Sequence, residues 1–350
     1  MDQANSYVLR TYTFRELLNR LFQVYGHNFV PFVVLSAAVQ IPLTVANYLI
    51  QVRLRDPLLQ LLNRFNISPD SAAVISPEVA MQMLSPMLEI LLVVVGAYIV
   101  SAFIQTVLVS GPLVYVTSEN ELGHPATLGN AFAVLGSRAG TLIGQMSLYY
   151  TLLLLLTVLL TLILFACGLG FGLLVYVATT VGAFLVPVAM LERGGVMHGL
   201  MRAWALCKTR LWPVLGLILI VLFISFVVSA TLDAVETAYA PPNSEPIIRI
   251  ILETIISILL MPVLPVGFTL LYYDARVRSE GLDSALKRAR LTNPAASLAD
   301  VSPPPPGPFM RNEDLLNLAI ITMATFVLAL LYLGVTFLLS GGSAGMVGRF

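Results

Sequence analysis

Long stretches with no Asp, Glu, Lys or Arg constrain the fold of this chain more than any other feature. They run over residues 21 to 52, 90 to 118, 139 to 191, 211 to 232, 254 to 273 and 315 to 348. A helix needs about 20 apolar residues to cross a hydrocarbon layer of about 30 Å, so each stretch is long enough to span a bilayer. The third is double length. Its Gly168-Leu169-Gly170-Phe171-Gly172 reads as a tight turn, because glycine accepts a positive φ and no charge has to cross. The expected fold is all-α: a polytopic helical membrane protein with about seven transmembrane helices.

Composition agrees. Hydrophobic residues make up 58% of the chain and charged residues 11%, too few to cover a soluble surface. Nineteen basic and nineteen acidic residues cancel, so no global field points to nucleic acid. The opening MDQANSYVLRTYTFRELL lacks an apolar core followed by a small-residue cleavage site, so no cleaved signal is expected.

Basic residues in short loops resist translocation and set orientation. With the N-terminus inside, the cytoplasmic segments hold Arg10, Arg15, Arg20, Arg138, Arg193, Arg202, Lys208, Arg210, Arg276, Arg278, Lys287, Arg288, Arg290 and Arg311. Only Arg53, Arg55, Arg64, Arg249 and Arg349 fall outside. The expectation is a multi-pass protein of the bacterial cytoplasmic membrane, N-terminus cytoplasmic and C-terminus outside.

Short amphipathic segments precede three of the spans. Phe14, Leu17, Leu18, Leu21, Phe22 and Tyr25 share one helical face, and Thr13 with Glu16 suits a capping box. Leu128, Ala131, Phe132 and Leu135 repeat the spacing, as do Met197, Leu200, Met201 and Trp204. Each is expected to lie in the interface as an elbow and turn into the bilayer near Gly26, Gly136 or Lys208. Leu282, Ala285, Leu286 and Ala289 form a further stripe, opposite Lys287, Arg288 and Arg290.

Three domains follow. Residues 1–291 form a six-span body built as three elbow-plus-hairpin units. Residues 292–313 form a Pro-rich cytoplasmic linker, and residues 314–350 an additional transmembrane helix with a short outer tail. A short surface helix containing Pro57, Leu61 and Phe65 is expected in the outer loop, before a turn at Ser68-Pro69-Asp70.

Chemistry-bearing patterns are scarce. His27, His124 and His198 have no Cys, Asp or Glu at ligand spacing, so neither a metal nor a cofactor is expected. Cys167 is placed in a span and Cys207 in a basic loop, both as packing residues. The span centres hold no charge, but Gln40, Asn47, Gln105 and Gln145, with Tyr149 and Tyr150, either line a polar cleft or join helices by hydrogen bonds. Gly140 and Gly144 read as a close-packing face.

Two cytoplasmic boundaries are richer. Around the first, Glu192, Arg202, Trp204 and Lys208 surround one elbow. At the second, Asp274, Arg276 and Arg278 follow Tyr272 and Tyr273 at the end of the sixth span. These seven charged and aromatic residues are candidates for a structural cluster or for contacts with lipid headgroups. Asp274 is expected to pair with Arg202 or Lys208, and Glu192 with Arg276 or Arg278.

Three segments carry a resemblance. They are the run from Pro187 through Glu192 to Arg202, Trp204 and Trp212, the run Tyr272-Tyr273-Asp274, Arg276, Arg278 and Glu280-Gly281-Leu282-Asp283, and the opening TFRELLNRLFQVYGHNF. Together they are similar to the glycerophosphoryl diester phosphodiesterase membrane-domain family over roughly residues 12 to 290. The resemblance implies a bacterial six-span module, sometimes attached to a phosphodiesterase and often without assigned activity. No segment resembles the phosphodiesterase barrel, so the hydrolytic activity is not carried over. Gly199 and Ala203 stand where the family pattern has Ala and Ser.

The function expected first is non-enzymatic: a scaffold, accessory subunit or lipid-interacting module. Its partners would be membrane lipids, with anionic headgroups at the cytoplasmic face, and a membrane protein through the last helix. The alternative is a transporter or lipid translocator using a polar cleft at Gln40, Gln105 and Gln145. A membrane-embedded lipid hydrolase would have only Glu192 and Asp274 as candidate acids.

Overall fold

A computed structural model describes residues 10–64, 77–164, 169–239, 247–292, 301 and 310–344. Twelve α-helices and one π-helical turn account for nearly all of them, and there is no strand among the described residues. Six segments are long and apolar enough to cross a membrane: Phe29–Gln60, Pro86–Leu122, Leu128–Leu159, Gly170–Leu191, Leu211–Glu236 and Ile247–Glu280. The chain is a multi-pass helical membrane protein.

α1 (Phe14–His27) begins with the expected capping box: the Thr13 hydroxyl accepts from the Glu16 N–H, and the Glu16 carboxylate accepts from the Thr13 N–H at 2.8 Å. It buries Leu17, Leu21 and Val24 against the bundle, while Phe22 stays exposed. Asn28 ends it by turning its amide back onto the Val24 carbonyl at 3.0 Å. α2 (Phe29–Arg64) then runs past Arg53 and Arg55. The expected separate surface helix is thus the tail of α2, with Pro57 inside it. The turn expected at residues 68 to 70 lies outside the described residues.

α3 (Pro77–Gln105) passes through a π turn, Thr106–Ser110, into α4 (Gly111–Leu122). Pro112 supplies the reason: it has no N–H to give the carbonyl four residues back, and a widened turn clears its ring. α5 (Leu128–Leu164) is unbroken, so no separate elbow helix precedes the third span and Gly136 makes no turn. An interior glycine costs only about 1 kcal/mol relative to alanine, too little to stop a helix without a competing cap.

α6 (Leu169–Leu191) begins inside the glycine-rich run. Gly170 and Gly172 are therefore helical, and only Gly123 and Gly281 have positive φ among the described residues. Gly172 serves packing instead: a Cβ there would strike the backbone of Thr322 on α12 (Asn312–Ala344). Gly144 similarly admits Val196, whereas Gly140 faces open space.

α7 (Val196–Thr209) and α8 (Leu211–Tyr239) are separated by Arg210 alone. α7 buries Leu200, Ala203, Trp204, Leu206 and Cys207 against the bundle and leaves Met197 and Met201 outside, so Cys207 lies on a helix and not in a loop. The sixth span is divided. α9 (Ile247–Leu260) stops at Met261-Pro262, and α10 (Val263–Glu280) continues to an αL cap at Gly281, followed by α11 (Leu282–Thr292). Leu282 and Leu286 of α11 enter the core while Lys287 and Arg288 stay exposed.

The core sits at one end of the bundle. From Ala183 to Glu192 every residue of the α6 end is buried, the mark of a helix packed on all sides. Its neighbours are α4, α5, α7, the start of α8 and most of α10, with α12 packed farther along α6. Toward the other end the helices part. Leu152, Leu154, Leu155, Val158 and Leu159 of α5 are all exposed, as are Leu219, Ile220, Leu222, Phe223, Ile224, Phe226 and Val227 of α8. These positions cover about half of each helix surface, and no residue of either length is fully buried.

Candidate functional site

The packed end is closed by ion pairs. Glu192, at the foot of α6, accepts from the Arg202 guanidinium of α7 at 3.0 Å and from the Tyr272 hydroxyl of α10 at 2.8 Å. Arg138 of α5 donates to its backbone carbonyl. Arg202 also meets Glu280 at 2.5 Å, and Arg276 meets Glu280 at 3.0 Å and Glu192 at 3.6 Å. Two carboxylates and two guanidiniums thus form a neutral ring joining α6, α7 and α10. Arg276 is 1% exposed and Glu192 6%, so each charge depends on the others for compensation. Burial pulls the Arg202 guanidinium down, but Glu280 and Glu192 outweigh it and its pKa is raised.

A second cluster ties in the N-terminal segment. Asp274 is fully buried and lies 2.6 Å from Arg210 and 3.0 Å from Arg278. It also accepts the Tyr12 N–H at 2.8 Å. Arg278 donates to the Tyr12 carbonyl at 2.9 Å, and the Tyr12 hydroxyl reaches Glu121, itself paired with Arg20 at 2.7 Å. Burial draws the Arg210 guanidinium down, and Asp274 only partly restores it.

These geometries correct the expected pairs. Asp274 meets neither Arg202 nor Lys208: Arg202 belongs to the Glu192 ring, and Lys208 holds Asp314 of α12 at 2.7 Å. Trp204 stands apart from both rings, edge-on to Tyr176 at 5.7 Å with Ile321 of α12 beside it. Glu192 does meet Arg276. Sequence reading missed Glu280, Arg210, Tyr12 and Glu121. A four-residue spacing from Arg276 was the available signal for Glu280.

Farther along the spans lies a cavity of about 870 Å³ to which all six spans contribute. Gln40 and Gln105 both line it, and the Gln105 amide donates to the Gln40 carbonyl at 3.1 Å. Tyr149 and Tyr150 line it too, Tyr149 donating to the Ala178 carbonyl at 3.0 Å. Gln145 does not. It is buried against Gly199, where any Cβ would collide with its amide. The missing side chain at Gly199 is the space that Gln145 fills. Asn47 is a helix-joining group, bonded to Ser101 at 3.4 Å.

Two irregularities form part of the wall. The π turn contributes Thr106 and Ser110, and the break between α9 and α10 contributes Met261. At the end remote from the ion pairs, Arg249 gathers Asp233 at 2.5 Å, Glu236 at 3.0 Å and Glu253 at 2.9 Å, and Glu253 reaches the cavity rim.

No protein-family model, no curated protein and no solved structure matches the chain.

Proposed function

We propose that the protein is a non-enzymatic membrane carrier or translocator that admits an amphipathic molecule between its spans. The observation that carries this reading is the cavity of about 870 Å³, within the volume range of small-molecule sites. It combines amide and hydroxyl groups with apolar walls. Interrupted helices at membrane depth suit such a role, since irregular backbone there is tolerated where it is buried or faces a cavity. A scaffold or accessory subunit, the role expected first from sequence, has no use for a polar hollow at its centre. Glu192 and Asp274 are engaged by cations on several sides, which leaves neither free for acid or base work in a hydrolase.

In this reading the ion-paired end faces the cytoplasm, with the N-terminus inside and α12 as a seventh span ending outside, in a bacterial cytoplasmic membrane. α1 and α7 act as elbows, and the exposed Lys287 and Arg288 of α11 meet anionic headgroups. The likeness to the glycerophosphoryl diester phosphodiesterase membrane domain fits a membrane module of this kind. A partner membrane protein would meet the outward face of α12.

Native mass spectrometry of the protein extracted in mild detergent tests the reading. The parent should retain a bound lipid-sized molecule. Ser225→Trp and Ser229→Trp, which fill the cavity from α8, should lose it, while Leu328→Trp on exposed α12 should keep it. Equal retention by all of them would overturn the proposal.

A further inference from the structure

The cavity is rich in hydrogen-bonding groups and poor in charge. Among the described residues its lining includes no Lys, Arg or His, and the one carboxylate that reaches it, Glu253, is held by Arg249 at 2.9 Å. A phosphate headgroup would find no cation there. A quaternary ammonium would find no free carboxylate, only the rings of Tyr98, Tyr149 and Tyr150, and either charge would give up its water without a counter-charge, at a cost of several kcal/mol.

The neutral polar groups are different. Ser225, Ser229 and Ser257 line the cavity, and no protein group among the described residues bonds their hydroxyls. Gln40 and Gln105 spend one bond on each other, through the Gln105 nitrogen, which leaves the Gln105 carbonyl oxygen as an acceptor. Hydroxyls that both donate and accept, beside an amide acceptor, complement a headgroup that is itself made of hydroxyls. Tyr98, Tyr149 and Tyr150 add flat faces for its C–H edges, with the Tyr149 and Tyr150 ring centroids 5.3 Å apart. Apolar wall residues, Val221 and Val228 of α8 with Ile256 of α9 among them, give acyl chains a surface in the same space.

We infer that the cavity takes an amphiphile whose headgroup is uncharged and hydroxyl-bearing, a glycerol or a sugar carried on acyl chains. The inference rests on the carrier reading above and names the ligand class of that same site. Hydroxyl complementarity selects the headgroup, and the lack of a free charge rejects phosphorylated and cationic lipids of equal chain length.

The test uses the full chain in phosphatidylcholine nanodiscs and four lipid probes that share one diazirine-bearing acyl chain: diacylglycerol, glucosyl-diacylglycerol, phosphatidylglycerol and a diacyl trimethylammonium lipid. Photo-adducts are mapped by peptide mass spectrometry, with the exposed face of α12 around Met323 and Leu328 as the reference for ordinary lipid contact. One or both neutral probes should label the α8 and α9 cavity walls above that reference, and which one does so tells glycerol from sugar. Gln105→Leu should lower this cavity labelling by about fivefold, the effect of losing one hydrogen bond. Ser225→Trp should abolish it, and labelling of α12 should be unchanged in both variants. Cavity labelling by the phosphatidylglycerol or trimethylammonium probe at the level of the neutral ones would overturn the ligand class and leave the carrier reading standing. If no probe labels the cavity above α12, the carrier reading itself falls.

Discussion

The backbone nitrogen of Tyr12 lies 2.8 Å from the carboxylate of Asp274, a contact that spans 262 positions of sequence. Through it the N-terminal segment is fastened to the last turns of α10, and Arg210 and Arg278 both pair with the same carboxylate. Removing one partner of a buried pair leaves the other uncompensated, a loss of about 3 to 5 kcal/mol. Asp274→Ala should therefore lower folded yield and thermal midpoint far more than Asp283→Ala on α11. Equal midpoints for the two variants would show that the cluster is only a surface anchor.

Tyr12 also gives an alkaline signature. Burial first, and then the Glu121 carboxylate, push its hydroxyl from 10.0 up to about 12. The folded state thus favours the neutral phenol. That contribution is whole below the ordinary tyrosine range and disappears as pH climbs to the raised value. Tyr12→Phe should unfold with a shallower loss of stability over this interval than the parent, measured by thermal melts at stepped pH. Identical slopes would remove Tyr12 from the linkage.

Gln145 and Gly199 form a size-matched pair. A methyl group at position 199 would enter the space held by the Gln145 amide, and overpacking of this kind costs about 1 to 3 kcal/mol. Gly199→Ala should be destabilised, and adding Gln145→Ala should recover part of the loss. Additive effects in the double-mutant cycle would contradict the contact.

Orientation can be read by thiol labelling. In a chain freed of its own cysteines, one introduced at residue 295 should be shielded from an impermeant maleimide in intact cells, and one at residue 240 labelled. The reverse pattern would invert the proposed topology.

The spans were legible because charge cannot be left in hydrocarbon, and the uncharged runs delimit all six segments to within a few turns. Their ends were less so. Asn28 moves the start of α2 inward by capping α1, and α2 carries Arg53, Arg55 and Pro57 inside a helix that looked finished. A proline early in a surface stretch reads as a boundary, yet within a long helix it need only bend it. Glu192 and Asp274 stood out as acids at an interface. Their partners did not, because the register of α7 against α10 decides whether Arg202, Lys208 or Arg210 reaches a given carboxylate. The cavity left the least trace. Gln40 and Gln105 marked two of its walls, but Gln145 has the same chemistry and faces Gly199.

That one-sided core has a mechanical consequence. Six helices joined firmly at one end and loosely at the other behave as beams clamped at the base, where a small tilt at the root becomes a large displacement at the tip. Lateral pressure acting on the free lengths of α5 and α8 works with that leverage. A force on those lengths would move the cavity walls of α5 and α8 more than the clamped base, which holds Glu192 and Asp274.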